Sequence, residues 1–294
     1  MNVFDRVVIT GGGGMLASAL RRTLEARGVK PHVLNRAACD ITDARAVDDL
    51  FELQRPTLIL NCAAYTKVDL AEKETELANR VNGTGAENLA RGCAACGAKL
   101  VHYSTDYVFD GTLRRPLRPD DPVGPQSAYG KSKLLGEQAI QRVGGLDYLI
   151  PRTAWLYGPG GPNFVKTMVT VAKAGKPLRV INDQFGSPTY TLDLAVATLE
   201  LLDRDATGCW HLSNAGETNW HDFARAIFEQ WGLTPDLQPT TSDAWKAQRP
   251  ESAMRPAYSV LDVTPFAETV GHPMRDSREA LAAFKAEVDR SREF

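Results

Sequence analysis

Thr10-Gly-Gly-Gly-Gly-Met-Leu-Ala17 directly follows the apolar run Arg6-Val-Val-Ile-Thr10 and opens an amphipathic run over residues 16–27. A strand, a glycine loop and a helix in that order let a chain hold a phosphate. Read as Gly11-x-x-Gly14-x-x-Ala17, the loop has the spacing at which backbone can approach a pyrophosphate. The helix that follows offers free N–H groups and a favourable dipole to that anion. Alanine at the third position is acceptable where helix packs on strand. The competing reading is a plain glycine turn, but the position between strand and helix favours dinucleotide binding. The candidate cofactor contacts here are Gly11, Gly13, Gly14, Met15 and Leu16.

Outward from this loop, short apolar runs alternate with helical patterns. Strands are expected over residues 31–34, 57–61, 99–104 and 147–152, and helices over 44–55, much of 70–96 and 129–142. Parallel strands need crossover helices, so this alternation predicts an α/β fold with a Rossmann-type doubly wound parallel sheet. The second half is less regular. It reads as helices over 164–174, 192–202 and 220–231, a loop over 158–162, extended pieces over 178–191 and a returning strand over 210–213. The Pro-rich stretch 235–256 reads as irregular, and residues 280–294 as a charged helix with a frayed end. The implied organisation is a cofactor lobe over residues 1–154, with a returning segment at about 190–213, and a smaller mixed α/β substrate lobe over 155–189 and 214–294.

Bulk composition fits one such enzyme. The 294 residues are 43% hydrophobic and 24% charged, with a net charge of −2. That balance gives no reason to expect nucleic acid or a membrane surface as a partner. No apolar run reaches transmembrane length, and the first five residues carry no signal-peptide pattern. Five cysteines, an odd number, argue against a disulfide framework and for a reducing cytoplasm.

Two further stretches carry the chemistry. Val33-Leu-Asn-Arg36 ends the second expected strand without a carboxylate. An acid there holds the ribose 2′-OH of NAD, whereas arginine accommodates a 2′-phosphate, so NADPH is favoured with Arg36 as its partner and NADH as an allowed second donor. Tyr129-Gly-Lys-Ser-Lys133 opens the long helix. Residues four apart share a helix face, so Tyr129 and Lys133 can line one site, while Lys131 at i+2 points away. A phenol titrating near 10 needs an adjacent cation to act in acid–base chemistry at neutral pH. Upstream, His102-Tyr-Ser-Thr-Asp-Tyr-Val-Phe-Asp-Gly111 ends a strand of the same sheet, where Thr105 can bond a substrate carbonyl and Asp106 can position or relay a proton. Loop capping is the bland alternative for Ser104 and Thr105.

With these motifs assembled, the chain resembles the extended short-chain dehydrogenase/reductase family over nearly its whole length. The resemblance also rests on Asp40-Ile-Thr-Asp43, Asn61-Cys-Ala-Ala-Tyr-Thr-Lys-Val-Asp69, Arg152-Thr-Ala-Trp-Leu-Tyr-Gly158, Asp183-Gln-Phe-Gly-Ser-Pro-Thr189 and Arg255-Pro-Ala-Tyr-Ser259. The Ala-Ala-Tyr-Thr, Ser-Thr-Asp-Tyr-Val-Phe and Gly-Ser-Pro-Thr strings resemble the branch that reduces the C4 ketone of dTDP-4-dehydro-L-rhamnose. That resemblance implies Asp40 and Ile41 near the adenine, and Ala63, Ala64, Tyr65 and Tyr103 along the dinucleotide. It implies Thr66, Val68, Asp106, Tyr107 and Trp155 at the sugar, and Arg255 and Gln184 at the nucleotide part of a dTDP-sugar. It further implies Tyr129 as proton donor, Thr105 holding the ketone oxygen, and Lys133 lowering the phenol's pKa and binding the nicotinamide ribose.

Two departures limit the carry-over. Ala17 stands for the usual third glycine, and Ala19 stands where some relatives use an acidic residue to bind a metal at a dimer contact. No metal is therefore expected, and a homodimer is allowed rather than implied. Three rival functions share the fold: a sugar-nucleotide epimerase or dehydratase, a reductase of another 4-keto-6-deoxy sugar nucleotide, and a regulatory subunit like that of methionine adenosyltransferase. Cys93-Ala-Ala-Cys96 has redox spacing but reads better as two small buried residues. His102 reads as a satisfied core residue, and Trp210, Trp220 and Trp231 as core packing.

Overall fold

The computed structural model describes residues 2–291. Its first half threads β1 (Val7–Thr10), α1 (Met15–Ala26), β2 (His32–Leu34), α2 (Ala44–Gln54) and β3 (Leu58–Asn61). Two short helices, α3 (Val68–Ala71) and α4 (Thr75–Asn79), lead through a π-helical turn at Arg80–Thr84 into α5 (Gly85–Cys96). Then come β4 (Lys99–His102), β5 (Ser104–Thr105), α6 (Ala128–Arg142) and β6 (Tyr148–Thr153). Every residue of β1, β3 and β4 is buried. Strands covered on both faces by helices have no solvent side, so their sequences are continuous apolar runs rather than alternations.

The second half comprises β7 (Leu156–Tyr157), α7 (Phe164–Lys173), β8 (Leu178–Ile181), β9 (Phe185–Gly186), β10 (Thr189–Tyr190), α8 (Thr191–Leu202) and β11 (Gly208–His211). After these follow β12 (Thr218–Asn219), α9 (Trp220–Trp231), β13 (Leu237–Thr240), α10 (Ser242–Gln248), α11 (Thr264–Val270) and α12 (Ser277–Ser291). The main sheet runs β2-β1-β3-β4-β6-β11, all parallel, with β5 added beside β6. The expected Rossmann-type sheet is thus present. The chain steps outward from β1 to β2 and then crosses to β3, so strand order reverses between β1 and β3. In open α/β sheets such a reversal opens a ligand crevice at the carboxyl ends of the strands.

Several apolar clusters hold the elements together. One joins β1, β3, α1 and α8 through Ile9, Leu20, Leu60 and Leu199. Another gathers Tyr157, Val169, Ile227 and Phe284 from β7, α7, α9 and α12. The stretch read as irregular is corrected here: residues 237–240 pair in parallel with β8, and α10 follows with Thr241 as its cap. Its prolines sit where a two-stranded edge needs few N–H donors, so they hide the strand without preventing it. Residues 292–294, where fraying of the last helix is expected, lie outside the described residues, as does Met1. No helix among the described residues is long and apolar enough to cross a membrane.

Candidate active site

The glycine loop lies in the crevice. Gly11 adopts φ +73°, and a Cβ there would sit 2.5 Å from the backbone of Cys62 and Ala63. Only glycine can let the loop after β1 lie against the end of β3 in this way. The Gly12 N–H donates to Leu34 O at 2.9 Å, tying the loop to β2. The space above Gly13 is open, and Gly14 caps α1 with no side-chain hydrogen bond. These features fit a pyrophosphate on the helix N-terminus. Met15 is half-buried beneath the turn that follows β7, with Asn163 Nδ2 3.6 Å from its sulfur, whereas the Leu16 side chain is in the core.

Around the loop, the expected dinucleotide contacts take different positions. Arg36 is 74% exposed and, among the described residues, pairs only with Asp40, Nε to Oδ2 at 3.0 Å. Asp40 is already bonded by the backbone N–H and hydroxyl of Thr42, which hold its carboxyl below the usual range. The Ile41 side chain is buried against α5. Ala63 and Ala64 are half-buried at the rim. The Tyr65 hydroxyl donates to Glu74 at 2.7 Å. Tyr103 is buried beside Cys62, its hydroxyl on Thr198 at 3.1 Å, so its ring belongs to the crevice floor.

At the carboxyl end of β5, Thr105 donates to Asp106 Oδ1 at 2.9 Å, and Ser259 donates to Asp106 Oδ2 at 2.6 Å. Asp106 is 1% exposed, and burial pushes its carboxyl up to about 6 against these hydrogen bonds. Tyr129 enters on the first turn of α6, set by Ser127, whose hydroxyl accepts from Gly130 N. Its ring meets Tyr107 edge-on at 5.5 Å between centroids. Burial pushes the phenol up to about 12, partly offset by the Thr105 hydroxyl and reinforced by the Asp106 charge. This differs from the expected downward shift. Lys133, one turn further, is 2% exposed and turned inward, its Nζ 3.1 Å from His102 Nε2. Burial pulls the lysine down to about 8, against the opposing effects of Glu137 and Cys62.

A buried polar chain lies behind the phenol. Asn61 Oδ1 accepts from Thr10 Oγ1 at 2.7 Å and from Ala63 N at 3.1 Å, while its Nδ2 faces His102 Nδ1 at 2.8 Å. His102 is a satisfied core residue, as its sequence position suggests. Asn82 bridges the backbone of Tyr65 to Ser132, whose hydroxyl donates to Tyr129 O.

On the substrate side, Trp155 adopts φ +48° and stacks on Trp220 with centroids 3.5 Å apart. Trp220 also packs against Phe164, with ring centroids 4.6 Å apart, beside the second apolar core, as its sequence position suggests. Arg255 is half-buried beside Tyr107 and paired with Asp69 at 2.9 Å. Thr66 is exposed and Val68 half-buried at the start of α3. Gln184 is 5% exposed, and its amide donates to Ser242, tying β9 to α10. Among the described residues, no group of three or more His, Cys, Asp or Glu side chains converges to hold a metal. Cys96 is exposed, which corrects the reading of both helix cysteines as buried: it ends α5, one turn beyond buried Cys93 and just before Gly97 turns the chain.

Sequence reasoning missed Asn61, His102 and Ser259 as working parts, although each lies in or ends a string already singled out. Glu137 had a signal too, one turn after Lys133 on the same helix face.

The family model described as the RmlD substrate binding domain matches residues 5–290. A dTDP-4-dehydrorhamnose reductase of Streptomyces griseus is 43% identical, covering 94% of this chain and 91% of its own. The spore coat polysaccharide biosynthesis protein SpsK of Bacillus subtilis is also 43% identical, covering 96% and 97%. Among solved structures, a dTDP-4-dehydrorhamnose reductase of Bacillus anthracis in complex with NADP superposes with a TM-score of 0.90 at 37% identity, covering 96% and 99%.

Proposed function

The chain belongs to the RmlD substrate-binding-domain family, and on that premise we propose that it is an NADPH-dependent oxidoreductase that reduces dTDP-4-dehydro-L-rhamnose to dTDP-L-rhamnose. The reading is carried by the juxtaposition of Thr105, Asp106 and Tyr129 at the carboxyl end of β5, on the same edge of the parallel sheet as the phosphate-fitting loop after β1. Identity above 40% to a reductase of that name supports the substrate class.

NADPH, when bound, supplies the hydride to C4 of the sugar. Gly11, Gly13, Gly14 and Met15 would hold its pyrophosphate and Arg36 its 2′-phosphate. Tyr129 donates its hydroxyl proton to the developing alkoxide, so ketone, hydride and proton sum to the alcohol. Thr105 turns its hydroxyl from Asp106 to that oxygen, and Asp106 keeps the threonine oriented until then. Lys133 supplies the positive charge that lets the phenol give up its proton. Arg255 offers a cation to the substrate's diphosphate, and Trp155 a flat wall to the sugar. The free cysteines suit a reducing cytoplasm, and a homodimer is compatible with this reading without being required by it.

The test is NADPH oxidation, followed at the nicotinamide absorbance, with dTDP-4-dehydro-6-deoxyglucose and its 3,5-epimerase. Signal loss that needs both sugar and epimerase, and that falls about 10²–10⁴-fold in Tyr129→Phe with NADPH binding retained, is expected. Oxidation without the epimerase assigns the other C4 ketone, and none at all overturns the enzyme.

A further inference from the structure

The buried chain from Asn61 to Lys133 has a definite polarity. The Ala63 backbone N–H can only donate, and it points at one oxygen, Asn61 Oδ1. That fixes the amide the other way round at its far end, where Nδ2 donates to His102 Nδ1. A neutral imidazole that accepts at Nδ1 carries its proton on Nε2. The ring is neutral because burial holds its pKa well below 6.5. Nε2–H therefore faces Lys133 Nζ at 3.1 Å. Only an uncharged amine has the lone pair to receive it, since an ammonium would set N–H against N–H.

We propose that His102 is a positioning residue that, by turning a donor toward Lys133, favours the uncharged amine in the free protein, so that Lys133 holds its charge more firmly once it leaves His102. The fold holds the two side by side. Gly136, one turn beyond Lys133, lets α6 come so close that a Cβ would lie 2.2 Å from Asn82 O and 3.3 Å from His102 Nε2. Neither residue is solvent-exposed, so water cannot substitute for the missing acceptor. The titratable groups acting on Lys133 are Glu137 on its own helix, Cys62 after β3 and His102 on β4, with Tyr129 one turn back on α6. Glu137 is saturated by Arg152 of β6, which weakens its hold on the lysine charge. The phenol, one turn back along the same face of α6, also gains from a charged lysine, and cofactor hydroxyls would be another acceptor. Cofactor and substrate binding would thus draw Lys133 off His102 and strengthen its charge where the proton transfer occurs. This consequence for turnover rests on the reductase reading, but the protonation state of the free protein does not.

The test is the pH titration of the Lys133 ε-carbon by NMR in protein labelled with [6-¹³C]lysine, without cofactor, the signal being assigned by its loss in Lys133→Met. The wild-type midpoint is expected near 8. His102→Gln offers an amide oxygen to the ammonium, and Asn61→Asp reverses the polarity of the chain so that Nε2 becomes an acceptor. Each is expected to raise the midpoint by ~1 unit or more. A wild-type midpoint at or above the ordinary lysine value of about 10.4 overturns the proposal. So does a midpoint that stays put in both variants while only their thermal stability falls. Should His102→Gln not fold, Asn61→Asp and the wild type decide alone. In active protein, the alkaline limb of kcat moves to higher pH in the variant that folds. Failure of NADPH oxidation would leave the titration intact, and a failed titration would leave the oxidation intact, so the two readings fail separately.

Discussion

Arg152 on β6 grips Glu137 on α6 with two parallel hydrogen bonds, Nε to Oε1 at 3.0 Å and Nη2 to Oε2 at 2.7 Å, both residues being almost wholly buried. The pair clamps α6 to the sheet. A buried ion pair owes little net stability to its Coulomb attraction, because desolvation offsets it, but losing one partner strands a charge in the interior. Glu137→Leu is therefore expected to cost about 3–5 kcal/mol in urea denaturation. Glu137→Leu combined with Arg152→Met should recover most of that. A double variant as unstable as the single one would show that the pair's geometry, not the stranded charge, matters.

Asp106 titrates near 6 in the folded chain against an ordinary 3.8. Its folded pKa is raised, so between those values the native state binds more protons than the unfolded one. Stability then falls as pH rises from about 4 to 6 and levels off beyond, at about 1.4 kcal/mol per unit. Asp106→Asn keeps both hydroxyl partners without the charge. It should match wild type near pH 4 and exceed it by on the order of 2–3 kcal/mol at pH 7.5. Denaturation midpoints that keep a constant gap across that range would contradict this.

Trp155 sits in the left-handed region, which costs a non-glycine residue on the order of 1 kcal/mol, and the stack on Trp220 holds it there. With Trp220→Ala the indole is free to leave. We expect the KM for the sugar nucleotide to rise about tenfold with kcat within about threefold. A fall confined to kcat would place Trp155 away from the sugar.

Arg36 is exposed and its ion pair with Asp40 is weak, so it can be drawn to a 2′-phosphate. Arg36→Ala should weaken NADPH binding about tenfold and leave NADH unchanged. Equal losses for both cofactors, read by nicotinamide fluorescence, would remove the arginine from the phosphate site.

What the sequence by itself determined was whatever is encoded over a few neighbouring residues. The strand, glycine loop and helix around Gly11 are one local string, and the shared face of Tyr129 and Lys133 follows from helical spacing alone. Continuous apolar runs announced the covered parallel strands. What only the tertiary structure decided was which partner each polar group takes. Ser259 reaches Asp106 across 153 residues, and Asn61 meets His102 across 41. Spacing along the chain says nothing of such meetings, because they are set by how helices and strands pack. The inward turn of Lys133 belongs to that class as well. Helical spacing puts it on the face of Tyr129, but the close approach of α6 at Gly136 gives it His102, and burial then lowers its pKa. The strand at 237–240 was hidden for a related reason: its edge pairing with β8 supplies the order that its own proline-rich sequence does not.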